Sequence, residues 1–109
     1  MVEDRLTFME EMLDTNPNDP FLLYAIAVEY RNKGEEKKTE QIFTKLVKEH
    51  PEYLPSYYQL GQILEKKGKM SKAIALYRKG KVLAEKANDQ KALGELSEAL
   101  LILVHQDEY

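Results

Sequence analysis

Residues Leu54–Leu83 read LPSYYQLGQILEKKGKMSKAIALYRKGKVL, and the choice of fold turns on them. In the first half Tyr57, Leu60, Gly61 and Leu64 recur at the i, i+3, i+4, i+7 spacing of one helical face. In the second half Ala73, Leu76, Tyr77, Gly80 and Leu83 keep the same rhythm. Lys67-Gly68-Lys69 interrupts it, and glycine tolerates the positive φ that ends a helix tightly. The stretch predicts a helix–turn–helix hairpin.

A backward step of 34 residues lands on the same pattern. It takes Gly68 to Gly34, Tyr77 to Phe43, Leu60 to Ile26, Tyr57 to Leu23 and Leu64 to Tyr30. It also takes Gly61 to Ala27, Tyr58 to Tyr24 and Pro51 to Pro17. Few positions are identical, so the repeat lives in residue class. A fixed step of this length is the mark of stacked helical hairpins. The order of a large residue, Leu-Gly, a further large residue, then Ala-x-x-x-aromatic and a closing proline resembles the tetratricopeptide repeat. In the second copy these positions are Tyr57, Leu60-Gly61, Leu64 and Ala73 to Tyr77; in the first they are Leu23, Ile26-Ala27, Tyr30, Thr39 and Phe43, closed by Pro51. Thr39 and Leu46 stand where that family prefers alanine, and Glu85 stands where its closing proline would be. The resemblance implies an all-α, right-handed superhelical stack of antiparallel hairpins, about six helices in all.

The expected organisation is a single domain over 1–109. Residues 3–15 form an N-terminal helix with Leu6, Met9 and Leu13 on one side and Phe8 and Met12 adjoining. The same step maps Met9 onto Phe43 and Leu13 onto Val47, so this helix is the second half of an earlier repeat and covers one end of the stack. Repeat 1 spans 20–53, repeat 2 spans 54–87, and a C-terminal capping helix spans 89–105. Asp19 precedes Pro20 and is placed to cap the next helix; Asp89, after the break at Asn88, is placed to cap the last. That last helix is expected to bury Leu93, Leu96, Leu100, Leu103 and Val104. Gly80 and Gly94 fall inside predicted helices, where each costs about 1 kcal/mol relative to alanine. Both are read as points of close helix approach, Gly80 admitting the last helix.

Composition narrows the function classes. With 43% apolar and 32% charged residues, the chain suits amphipathic helices rather than disorder. The absence of cysteine rules out a disulfide framework and a thiolate metal site. Met1-Val2-Glu3-Asp4-Arg5 opens on charge with no apolar run after it, so no signal peptide is expected and the default compartment is cytoplasmic. Ala99–Val104, the longest apolar run, is too short to span a bilayer. A net charge of −3 with interleaved signs argues against a nucleic-acid face. Lys66, Lys67, Lys69 and Lys72 cluster at the hairpin turn and read as a solvated tip.

Little in the chain points to catalysis, and the expectation is of no enzyme, no metal and no cofactor. His50 and His105 each sit near a predicted helix C-terminus, where an imidazolium is favoured by the helix dipole. His105, Asp107 and Glu108 have ligand chemistry but fall in a fraying tail. No metalloprotease helix motif, phosphate-cradling loop or nucleophile motif is present.

The resemblance places the first helix of each hairpin along a concave groove that receives a peptide or partner segment. Beside the buried stripes lie Phe21, Tyr24, Val28 and Arg31 in one copy and Pro55, Tyr58, Gln62 and Glu65 in the other. Tyr24, Val28, Arg31, Tyr58, Gln62 and Glu65 are the expected contact residues; Tyr24 and Tyr58 offer apolar area with a hydroxyl donor. Some relatives hold a C-terminal carboxylate with lysine and asparagine. Here those positions are Tyr, Val and Gln, with Arg31 the one cation, so an apolar or aromatic-anchored segment is the expected ligand. The alternative is a self-associating module dimerising through the apolar C-terminal helix. Leu101 and Ile102 point away from its Leu96–Leu100–Leu103 face.

Overall fold

The computed structural model describes residues 4–106, which form six α-helices and, among the described residues, no strand. They are α1 (Arg5–Thr15), α2 (Pro20–Asn32), α3 (Glu36–Glu49), α4 (Pro55–Lys66), α5 (Met70–Ala87) and α6 (Gln90–Gln106). The chain divides into two compact units between Tyr53 and Leu54, so that α1–α3 belong to the first and α4–α6 to the second. Among the described residues no helix is long and apolar enough to cross a membrane. Glu3, the expected start of the first helix, lies outside the described residues.

Helix ends follow from local chemistry. Asp19 accepts bonds from the Phe21 and Leu22 N–H groups at 3.0 and 3.4 Å, and Pro20 opens α2 where its missing N–H costs nothing. Asp89 accepts from the Ala92 N–H at 3.0 Å and caps α6. Asp4, which carried no expectation, accepts from the Leu6 N–H at 3.0 Å and caps α1. Gly34 and Gly68 follow α2 and α4 at φ 79° and 77°, the left-handed region that releases the chain into the next helix. Asn88 does the same after α5 at φ 56°. It is the one non-glycine residue among those described with positive φ, and asparagine tolerates that region better than most.

In the first unit α2 packs on both α1 and α3. Leu6 and Met9 of α1 meet Leu22 and Ile26 of α2 in one buried cluster, with Leu13, Ala25, Tyr30 and Ile42 against it. Phe43 and Leu46 of α3 are fully buried. Thr39, at a position where alanine was expected, is buried too; its hydroxyl donates to the Glu35 carbonyl at 2.7 Å, which satisfies it without a distant partner. Tyr30, at the further large position of repeat 1, is less enclosed than Leu23, Ile26 and Ala27. Its ring is only half-buried, its hydroxyl donates to Glu10 Oε2 at 2.9 Å, and Lys38 Nζ lies 5.2 Å from its centroid. A long polar-tipped ring can lie on the cluster and still reach water.

In the second unit α5 packs on α4 and α6, and α4 also touches α6. Tyr57, Leu60, Leu64, Ala73, Tyr77, Ala84, Leu96 and Leu103 are buried. A Cβ built at Gly80 would stand 3.0 Å from Leu96 Cδ1 and 3.1 Å from Tyr57 Cβ, so α6 does approach α5 closely there. Gly94 is different: nothing lies within 4 Å of a Cβ at that site, so close approach does not explain it. Val104, expected in the buried stripe, is 37% exposed. At 3.6 residues per turn it stands about 80° around the helix from Leu96, whereas Leu103 stands within about 20° of it.

Candidate functional site

The six expected contact residues fall on α2 and α4, three in each unit. On α2, Tyr24 is half-buried; its ring meets Phe43 edge-on at 5.6 Å between centroids and Tyr53 at 5.7 Å. Tyr24 is therefore anchored sideways on its own unit while one edge stays accessible. Val28 is half-buried and Arg31, in the last turn, is exposed. The Tyr53 hydroxyl is held above its ordinary pKa, chiefly by burial and then by Tyr24 and Asp19.

Tyr24 and Val28 line an open depression of about 310 Å³ between α1 and α2. Arg5, Met9, Phe21, Ala25 and Glu29 complete its wall. Phe21 is 70% exposed, an unusual setting for so large an apolar ring. At the rim Arg5 Nη1 donates to Glu29 Oε1 at 3.1 Å, and beside it Lys33 Nζ lies 3.7 Å from Asp4 Oδ1. Both pairs join α1 to α2 across the surface, where ion pairs add little stability but set local charge. Arg31 does not line this depression.

On α4 the three expected residues converge on one buried ring. Tyr58 stands 6.3 Å from Tyr77, centroid to centroid. The Tyr77 hydroxyl donates to Glu65 Oε2 at 2.5 Å and accepts from Gln62 Nε2 at 2.7 Å. Burial, then the bond to Glu65, raises the Tyr77 pKa far above its ordinary value, so the phenol stays protonated. Beneath the network Gly61 makes room for the ring, since a Cβ there would come within 2.8 Å of Tyr77 Cδ1. Gln62 is exposed and Glu65 half-buried, so both keep a polar edge toward solvent. The network is not legible in the sequence, because nothing in the 34-residue step says that a core tyrosine's hydroxyl meets two polar groups of α4.

Elsewhere the described residues contain no cluster of three or more His, Cys, Asp or Glu that could hold a metal ion. Asp107 and Glu108 lie outside the described residues. His50 stands at the C-cap of α3 and His105 in the last turn of α6. The side chains of Lys66, Lys67, Lys69 and Lys72 are exposed around the α4–α5 turn. On α6, Leu101 and Ile102 are 59% and 51% exposed.

Paired helices, a recurrent glycine turn and an aromatic ring seated over a small residue define an all-α helical repeat protein. The model of the tetratricopeptide repeat matches residues 54–86. The crystal structure of a tetratricopeptide repeat domain protein from Salinibacter ruber is 33% identical, covers 81% of this chain and 98% of its own, and superposes with a TM-score of 0.78. A solution structure of such a domain from the same organism is 34% identical over 80% of this chain and 88% of its own, with a TM-score of 0.74. A Bordetella parapertussis protein, 20% identical over 97% of this chain and 92% of its own, shares the fold with a TM-score of 0.78. No curated protein matches. This chain belongs to the tetratricopeptide repeat family. Folds of this kind generally mediate protein–protein interaction.

Proposed function

We propose that this chain is a noncatalytic interaction module that holds a segment of another polypeptide on the surface of its first leading helix, α2. The observation that carries the reading is the apolar depression on α2, with Phe21 exposed at its edge and Tyr24 and Val28 in its wall. An open, apolar recess of that size fits one aromatic or branched aliphatic side chain, with the Arg5–Glu29 pair meeting the flanking backbone or a polar neighbour. In the second unit Tyr58, Gln62 and Glu65, gathered around Tyr77, are a separate and more polar candidate contact on α4. Selection from a displayed random peptide library tests this. The expected ligands share a single bulky apolar anchor, and Phe21→Ser with Val28→Glu abolishes their binding while far-UV circular dichroism stays unchanged. Ligands without a common anchor, or binding indifferent to that double change, would refute the assignment.

The second reading is self-association. It is favoured by one observation, the exposure of Leu101 and Ile102 on α6. Adjacent exposed aliphatic side chains on one helix are a surface that a partner copy can cover.

A further inference from the structure

The 34-residue step that matches the apolar residues of α3 and α5 does not match their charges. Residues 35–52 carry four cations and five carboxylates, whereas residues 69–86 carry six cations and one carboxylate, Glu85. Glu35, Glu36, Glu40, Glu49 and Glu52 of the first copy fall on Lys69, Met70, Ile74, Leu83 and Lys86 of the second. The repeat constrains the buried side of each helix, so it does not account for the loss of all five acids.

Lys72, Lys79 and Lys86 recur at seven-residue steps along α5, and all three are exposed. At 1.5 Å per residue the row is about 21 Å long, and it drifts only about 20° around the helix per step. Ala75 and Val82 run beside it, about 60° around, and Arg78 stands about 60° beyond Ala75. Both apolar residues are exposed, Val82 by 50%, on the side of α5 opposite the buried Ala73, Tyr77 and Ala84. Among the described residues Lys72, Arg78, Lys79 and Lys86 have no carboxylate partner. A narrow apolar seam flanked by cations at heptad spacing is thus left unmatched on this helix.

We infer that this face of α5 receives an acidic amphipathic helix of a partner protein. Carboxylates at the same seven-residue interval meet Lys72, Lys79 and Lys86, and the partner's apolar stripe packs on Ala75 and Val82. A seven-residue interval with an apolar seam alongside is a pattern that another helix repeats and a chain of phosphates does not. A single-stranded nucleic acid would also draw on exposed rings for stacking, and the one aromatic residue of α5, Tyr77, is buried on the far side. A lipid surface would need bulkier apolar groups to insert than Ala75 and Val82.

Fluorescence anisotropy with two labelled peptides of about three heptads tests it. Both carry apolar a and d positions; one has glutamate at e and g, which keeps it from pairing with itself, and its twin has lysine there. The full chain is expected to bind the glutamate peptide, less tightly as salt rises, and to ignore the lysine twin. Lys72→Glu with Lys79→Glu should weaken the glutamate peptide by about tenfold or more and admit the twin. Val82→Asp should weaken it as well, with Val82→Gln in its place if helicity is lost. Lys45→Glu, the exposed α3 position matching Lys79, should change nothing. Absence of binding to the glutamate peptide overturns the inference, as does binding that the double variant leaves intact. Equal binding of disordered polyglutamate overturns the helical partner. Tighter binding of phosphatidylserine vesicles or a DNA duplex, lost in the double variant, gives the row to that anion and overturns it too. None of these positions lines the α1–α2 depression, so failure here leaves the peptide-binding reading intact.

Discussion

Two glycines in helices, 61 and 94, separate what a residue does from what its type costs. Both impose the same backbone penalty of about 1 kcal/mol relative to alanine. At Gly61 that cost is offset by packing, because the Tyr77 ring occupies the space a side chain would need. Gly61→Ala must therefore displace a fully buried ring together with its bonds to Glu65 and Gln62. Destabilisation of about 1–3 kcal/mol is expected. Gly94→Ala meets open space and should stabilise by up to about 1 kcal/mol. Urea denaturation of the two variants checks the pair, and equal shifts of the same sign would contradict the packing account. The small residue at 61 was legible from spacing, since it recurs as Ala27 one repeat earlier. The emptiness around Gly94 was not, because spacing locates a position on a helix face without saying whether a neighbour reaches it. Tyr30 and Val104 illustrate the same limit. Each occupies an apolar position in the pattern, and its burial depends on what the adjacent helix leaves uncovered.

The elements are set by punctuation more than by propensity. Three helices, α1, α2 and α6, carry an aspartate cap with a side-chain bond, whereas α3, α4 and α5 have none. Where α3 and α5 lack that cap, the preceding turn carries the burden: Gly34 and Gly68 at positive φ let the following residues accept and donate within the turn. The Glu35 N–H bonds the Tyr30 carbonyl at 3.0 Å and the Lys69 N–H bonds that of Leu64 at 2.8 Å, closing the two helices alike. Nothing lies within 4 Å of a Cβ at either glycine, so Gly34→Ala and Gly68→Ala incur no clash, only the cost of a left-handed backbone. Each should lose about 1–2 kcal/mol. Asp89→Ala should lose about 1 kcal/mol through the α6 cap. Thermal denaturation measures all three, and a glycine variant as stable as the parent would show that the turn relaxes to another conformation. These turns and the caps at Asp19 and Asp89 were readable from glycine, proline and aspartate positions, and the helices between them from apolar periodicity. The Asp4 cap was not, since a single aspartate ahead of an apolar periodicity is indistinguishable from surface charge until its carboxylate is seen on the Leu6 N–H.

Across the whole molecule, stability should be graded from helix to helix. In stacked hairpins each element gains only from its immediate neighbours, so local opening differs along the chain. Helix α5 has two packed neighbours, α4 and α6, and presents Ala73, Tyr77 and Ala84 with no exposure. Helix α1 rests on α2 through Leu6 and Met9, each still slightly exposed, while Phe8 and Met12 face solvent. Leu13 adds a partly buried contact, and polar ties include the Arg5–Glu29 and Asp4–Lys33 pairs and the Tyr30–Glu10 bond. Ion pairs on the surface contribute about 0–1 kcal/mol and weaken with salt. Amide hydrogen exchange on the dilute chain should accordingly find α1 the least protected helix and the middle of α5 the most. Uniform protection from α1 to α6 would mean that opening is cooperative over the entire chain and that the exposed face of α1 has no energetic consequence.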